Sequence, residues 1–148
     1  MKSPEFKNDG IVDSLTGVAA PAIFLEGIAR EFATARRDQR PLSILSLQSS
    51  QLLHAPNALT NIELEVELIA LARRIKVVLR KGEFFTRISE SGFWIAVRAD
   101  SQASEILATR ILSNYGSDKN YWRTSIIECT PKISFEQWIE SADRIHFN

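Results

Sequence analysis

Residues 80–98, which read RKGEFFTRISESGFWIAVR, are the stretch that decides the fold. Aromatic and β-branched residues are concentrated in Glu83–Ile88 and again in Phe93–Val97, as is typical of strands. Between them lies Ser89-Glu90-Ser91-Gly92, a short polar segment that predicts a tight turn with glycine at the conformationally demanding position. The pattern therefore predicts a β-hairpin.

The composition is that of a globular domain that binds neither nucleic acid nor a membrane. The chain has 148 residues, 45% hydrophobic and 24% charged, with a formal net charge of zero. Balanced charge and the lack of a long apolar run predict no nucleic-acid partner and no membrane contact from this segment. A single cysteine, Cys129, excludes an internal disulfide and favours a reducing cytoplasm. His54 and His146 have no Cys or His partners at ligand spacing, so we expect no metal site from them.

Apolar periodicity on either side of the hairpin predicts the remaining elements. The order α-β-α-β-β-α-β-α indicates an α/β (α+β) sandwich, with a mixed central sheet that contains the hairpin and is flanked by helices. The second helix, Ile62–Leu79, is expected to bury one apolar stripe. Its members are Ile62, Val66, Ile69, Ala72 or Arg73, Ile75 or Lys76, and Leu79, widened by Leu68, Leu71 and Val78. Residues 1–12 are expected to form a flexible leader, and residues 13–148 a single domain.

Four landmarks in register resemble the GGDEF family, the diguanylate cyclase domains. They are Asp13-x-Leu15-Thr16-Gly17, Phe24, Arg80-x-x-Glu83, and Arg87 placed six residues before Phe93. The family hairpin carries R-x-G-G-D-E-F at that last spacing. The resemblance implies the palm-like nucleotidyl cyclase fold and a place in bacterial cyclic di-GMP signalling.

The resemblance also indicates which catalytic groups are missing. The family joins two GTP molecules, and carboxylates at the end of the first strand and in the hairpin turn hold Mg²⁺. Those positions are Gln48 and Ser91 here, and the register predicts that they lie side by side, with the first strand next to the second strand of the hairpin. Glu90 adds a negative charge near the phosphate position, unless it is a displaced ligand. The guanine-reading positions correspond to Pro56 and Glu65. We therefore expect no catalytic residue, no metal ligand and no cofactor.

Three functions follow from this pattern. The first is a catalytically inactive GGDEF-like domain, not an enzyme, that acts as a regulatory or interaction module with a protein partner or as a homodimer. The alternative is a receptor for cyclic di-GMP or GTP through Arg80 and Glu83, since the family binds its product at an R-x-x-D site and arginine recognises guanine. An active diguanylate cyclase with rewired ligands is the third. A surface Arg and Glu three residues apart are also common in strand-connecting loops without any ligand.

Overall fold

A computed structural model describes residues 4–49, 61–113 and 122–147 of the chain. The elements alternate in the predicted order: α1 Pro21–Asp38, β1 Ser43–Ser49, α2 Asn61–Val78, β2 Phe84–Ser89, β3 Gly92–Val97, α3 Ser101–Leu112, β4 Trp122–Glu128 and α4 Phe135–Phe147. None of the helices in these ranges combines the length and apolarity that crossing a membrane requires.

The sheet has the strand order β2-β3-β1-β4. The predicted pairing of the first strand with the second hairpin strand is confirmed, from Ser43 opposite Val97 to Gln48 opposite Gly92. The α/β class is also confirmed, but every ladder among the described strands is antiparallel rather than mixed. The helical crossovers do join parallel strands, β1 to β2 and β3 to β4, but each skips one strand. Among residues 4–49, 61–113 and 122–147, parallel contact is therefore limited to a single bridge between Ala19 and Thr86.

Alternating residues of the sheet build a core on each face, as the two-residue period of a strand requires. One face carries Leu45, Leu47 and Phe93, which pack with the buried sides of α2 and α3. The other carries Ile44 and Trp94 beneath α1 and α4. With helices on both faces, all seven residues of β1 are buried.

The buried face of α2 differs from the expectation. Ile62 and Val66 are 74% and 58% exposed, so their prediction as core residues is wrong. The expectation is confirmed for Leu68, Leu71, Ala72 and Ile75, which form the core stripe together with Leu64. This stripe has equally good helical spacing, and α2 is therefore apolar on two sides.

The first landmark folds as its residue types predict. The Asp13 carboxylate accepts hydrogen bonds from the Thr16 amide and hydroxyl, at 2.9 and 2.7 Å. Gly17 follows with a φ of +74°, a conformation that favours glycine. Within the leader, the Lys7 carbonyl accepts a 2.8 Å bond from Ser14. The flexibility of residues 1–12 and the domain boundary at 13 stay predictions.

Candidate functional site

The end of β1 meets the turn of the hairpin where the family keeps its metal ligands. Gln48 lies opposite Gly92, and the Ser49 amide donates a 2.9 Å hydrogen bond to the Ser91 carbonyl. Gln48 and Ser91 are 8% and 6% exposed. The two positions that replace the family's carboxylates are therefore neighbours across adjacent strands, as the sequence register required.

A protein cation occupies the polar end of Gln48. Arg123 is the cross-strand partner of Gln48 on β4. Its Nη2 donates to Gln48 Oε1 at 2.5 Å and to the His146 carbonyl at 3.1 Å. The amide oxygen that replaces a metal-binding carboxylate is thus already engaged by a guanidinium.

His146, near the end of α4, forms a buried bridge between two strands. Its Nδ1 lies 2.5 Å from Ser46 Oγ on β1, and its Nε2 lies 2.8 Å from Ser89 Oγ on β2. Burial, with the charge of Arg123 as a smaller cause, lowers the pKa of His146 from 6.5 to about 4. At neutral pH the imidazole is uncharged, so one ring nitrogen donates a hydrogen bond and the other accepts one. The two hydroxyls complement it.

Gly92 is needed for this packing rather than for its backbone freedom. Its φ is not positive, unlike those of Gly10, Gly17 and Gly82. A Cβ at Gly92 would lie 2.6 Å from His146 Cε1 and 2.6 Å from the Leu47 carbonyl oxygen. The prediction that glycine serves the turn conformation is therefore wrong: glycine lets the ring of His146 approach the sheet.

The donor set at this position does not fit a magnesium–triphosphate. Mg²⁺ prefers several hard oxygen ligands, carboxylates above all, in near-octahedral geometry. Here Gln48 and Ser89 already have protein partners, Arg123 adds positive charge, and Glu90 is exposed. Across the three described ranges, no three His, Cys, Asp or Glu side chains form a group that could hold a metal ion.

Arg87 links the hairpin to the N-terminal segment. It is fully buried and lies 3.3 Å from Asp13 Oδ1, while its Nη2 donates to the Glu90 carbonyl at 2.8 Å. It also donates to the Glu5 carbonyl and lies 5.0 Å from the centre of the Phe6 ring. Burial lowers the pKa of Arg87, although Asp13 opposes that shift. The sequence identified Arg87 and Asp13 as landmarks, but not as partners.

The predicted ligand pair Arg80 and Glu83 is brought together at the start of the hairpin. Arg80 Nη2 lies 3.1 Å from Glu83 Oε2, and the hydrogen bond that Arg80 donates to Glu83 raises the pKa of Arg80. Glu83 also accepts the backbone amides of Arg80 and Arg98, at 3.0 and 3.2 Å. Both of its oxygens are therefore in use and its side chain is 1% exposed, whereas that of Arg80 is 67% exposed.

The structure describes only one of the two positions at which the family reads guanine. Pro56 lies outside the described residues. Glu65 lies on α2, and its charge acts on Arg87 by opposing the lowering of that pKa.

Comparison with known proteins gives the same family as the sequence landmarks. The sequence profile described as "Diguanylate cyclase, GGDEF domain" matches residues 10–144. A search of curated proteins gave no match.

Three solved structures similar to this chain share less than 20% of its sequence. A microbial GGDEF domain, described in a novel interaction mode with cyclic di-GMP, has a TM-score of 0.74 at 16% identity, over 93% of this chain and 88% of that chain. The GGDEF domain of DgcB from Caulobacter crescentus, in complex with cyclic di-GMP, gives 0.71 at 17%, over 97% and 91%. Diguanylate cyclase SiaD from Pseudomonas aeruginosa, in complex with its activator SiaC, gives 0.72 at 16%, over 92% of this chain and 56% of SiaD.

These likenesses agree on the fold, and the profile covers nearly all of the chain. The chain therefore belongs to the GGDEF domain family, the family of the diguanylate cyclases.

Proposed function

We propose that this GGDEF domain does not synthesise cyclic di-GMP and acts instead as a regulatory module through protein contact. The observation that carries the proposal is the hydrogen bond from Arg123 to Gln48. It joins a neutral residue to a fixed protein cation at the position where the family's reaction needs an anionic metal ligand. Phosphoryl transfer depends on metal-assisted charge neutralisation, so the loss of that ligand removes the main source of catalysis.

The packing around His146 supports the same proposal. The imidazole contacts hydroxyls of both β1 and the hairpin, so α4 is hydrogen-bonded to both strands beside the position of the lost ligand. The module would work on a protein partner or as a homodimer in the cytoplasm. That a related domain, SiaD, is known in complex with an activator protein gives the partner hypothesis a precedent.

Turnover tests the catalytic half of this proposal. The protein is incubated with GTP and Mg²⁺ or Mn²⁺, and cyclic di-GMP and pyrophosphate are measured by mass spectrometry. We expect no product above a heat-denatured control. Product that disappears in the Gln48→Ala variant would show that this site is catalytic and refute the proposal. Light scattering between about 5 and 200 µM separates a homodimer from a monomer that needs another protein, and a monomer throughout that range removes the homodimer.

A second candidate is a cyclic di-GMP receptor that uses Arg80. In its favour, the guanidinium is largely exposed and is held in place by Glu83, so it is oriented for stacking on a base. Because the Glu83 oxygens already have donors, Arg80 rather than Glu83 would make the main contact. Calorimetry with cyclic di-GMP tests this function, with Arg80→Ala as the variant and Arg30→Ala as the control. Binding that is absent, or equal in both variants, eliminates it.

A further inference from the structure

The second apolar side of α2 faces away from the sheet and is open to solvent. Ile62 and Val77, at 74% and 79% exposure, are the two most exposed large hydrophobic side chains among the described residues, and Val66 is 58% exposed. With the exposed Ala70 and Arg73 they recur every three or four residues, which places all five on one side of the helix. We call this row the outer stripe. Since four of its five members are apolar, it is suited to a protein partner.

The charges of α2 are separated along its length. Its acids all lie in the N-terminal half and its bases in the C-terminal half: Glu63, Glu65 and Glu67, then Arg73, Arg74 and Lys76. This order suits the helix macrodipole, and it also makes the helix complementary to a copy of itself that runs in the opposite direction. An antiparallel copy sets each acidic half beside a basic half, whereas a parallel copy sets like charges beside each other.

A two-fold axis at the middle of the outer stripe matches the stripes of two copies residue by residue. Ile62 of one copy then lies against Val77 of the other, and both contacts occur twice. Val66 lies against the aliphatic stem of Arg73. The small side chain of Ala70 lies at the axis, where it lets the two helices approach closely. We propose that the outer stripe of α2 is a homodimer surface, on which a second copy of this chain docks its own α2 in the antiparallel direction.

The proposal rests on the proposed function, since it supplies the surface for the homodimer form of the regulatory module. The size of the contact sets its strength. α2 has 18 residues and is therefore about 27 Å long, so one helix from each copy makes a small interface. Interfaces below about 1,200 Å² are typical of weak or transient association, and we expect a dissociation constant in the micromolar range.

Sedimentation equilibrium between about 5 and 200 µM measures the dimer and its dissociation constant. The Val66→Lys/Ala70→Lys variant sets one lysine against Arg73 of the second copy and another against its own counterpart at the axis. Both positions are exposed and helical, so lysine is well tolerated there in the monomer. The control, Ile23→Lys/Ile145→Lys, adds the same charge in place of exposed apolar side chains on α1 and α4.

Chemical cross-linking tests the direction of the two helices. In a Cys129→Ser background, which leaves no other thiol, an Ile62→Cys protein is mixed with a Val77→Cys protein and treated with a short bismaleimide linker. Positions 62 and 77 are about 22 Å apart along one helix. Antiparallel docking therefore gives a cross-linked dimer in the mixture and none in either protein alone, whereas parallel docking gives one in each protein alone.

We expect a reversible wild-type dimer whose dissociation constant rises about tenfold or more in Val66→Lys/Ala70→Lys and is unchanged in the control. A monomer throughout the concentration range overturns the proposal and leaves the outer stripe to a different protein. Equal weakening in both double variants, or cross-linking confined to the single proteins, also overturns it. None of these results bears on turnover, so the regulatory function can outlast them. Cyclic di-GMP synthesis by the wild type, in contrast, refutes that function without removing an α2 dimer.

Discussion

Mild acid should destabilise this domain through His146. The pKa of the buried imidazole is lowered from 6.5 to about 4, so the folded chain keeps it neutral where the unfolded chain protonates it. Between these two values the unfolded state binds more protons than the folded state. The free energy of unfolding therefore falls as the pH falls from about 6.5, and the contribution levels off below about pH 4.

The magnitude follows from the shift. One pKa unit corresponds to about 1.4 kcal/mol, so a change from 6.5 to about 4 amounts to about 3 kcal/mol in total. By pH 5 about 2 kcal/mol of this should already be lost. Against a typical free energy of unfolding of about 5–15 kcal/mol, the loss is large enough to measure.

Urea denaturation at pH 7.5, 6.5, 5.5 and 5.0, followed by fluorescence of the buried Trp94 and Trp138, gives the required stabilities. His146→Gln removes the titrating group, and His54→Gln is the matched control because His54 is the chain's other histidine. Carboxylates titrate alike in all three proteins, so the difference between the pH slopes isolates His146. The reasoning is refuted if His146→Gln keeps the wild-type loss between pH 7.5 and 5.0, or if His54→Gln abolishes it.

Three further substitutions probe the same region. Gly92→Ala should lose about 1–3 kcal/mol in urea denaturation, because its Cβ would lie 2.6 Å from a backbone oxygen; an unchanged midpoint would contradict this. Arg87→Ala should lose about 3–5 kcal/mol by leaving the Asp13 carboxylate buried without its cation, and Arg87→Met/Asp13→Asn should lose less. Gln48→Asp should not restore Mn²⁺ binding in calorimetry, because Arg123 would pair with the new carboxylate. Binding in that single variant would show that Arg123 does not block the site.

The fold could be predicted because its signals are local. The hairpin follows from two strand-like runs around a polar turn, and the position of β3 next to β1 follows from the family register. The Asp13 turn is likewise encoded within a few residues, since the carboxylate bonds to Thr16 and Gly17 takes a positive φ. Strand direction was less accessible, because it depends on which strand each crossover skips.

The side-chain partners at the site could not be predicted in the same way. Arg123 and Gln48 are 75 positions apart, and His146 and Ser46 are 100 apart. Neither pair shares a motif, so only the assembled sheet brings them together. The buried side of α2 was also hard to predict, because the helix is apolar on two sides. Periodicity places Ile62 and Leu64 in different stripes, but it does not show which stripe packs on the sheet.

The loss of the family's metal ligands and the packing of side chains at the strand ends are physically connected. Carboxylates held together at the end of a sheet repel each other and need a cation, which in the family is the metal. With Gln48 and Ser91 at those positions the repulsion is absent, and Arg123 supplies a covalently attached cation that never dissociates. The neutral His146 packs against Gly92 at the same end of the sheet. The same contacts join β1, the hairpin and β4 to α4, which gives this end of the domain a structural role.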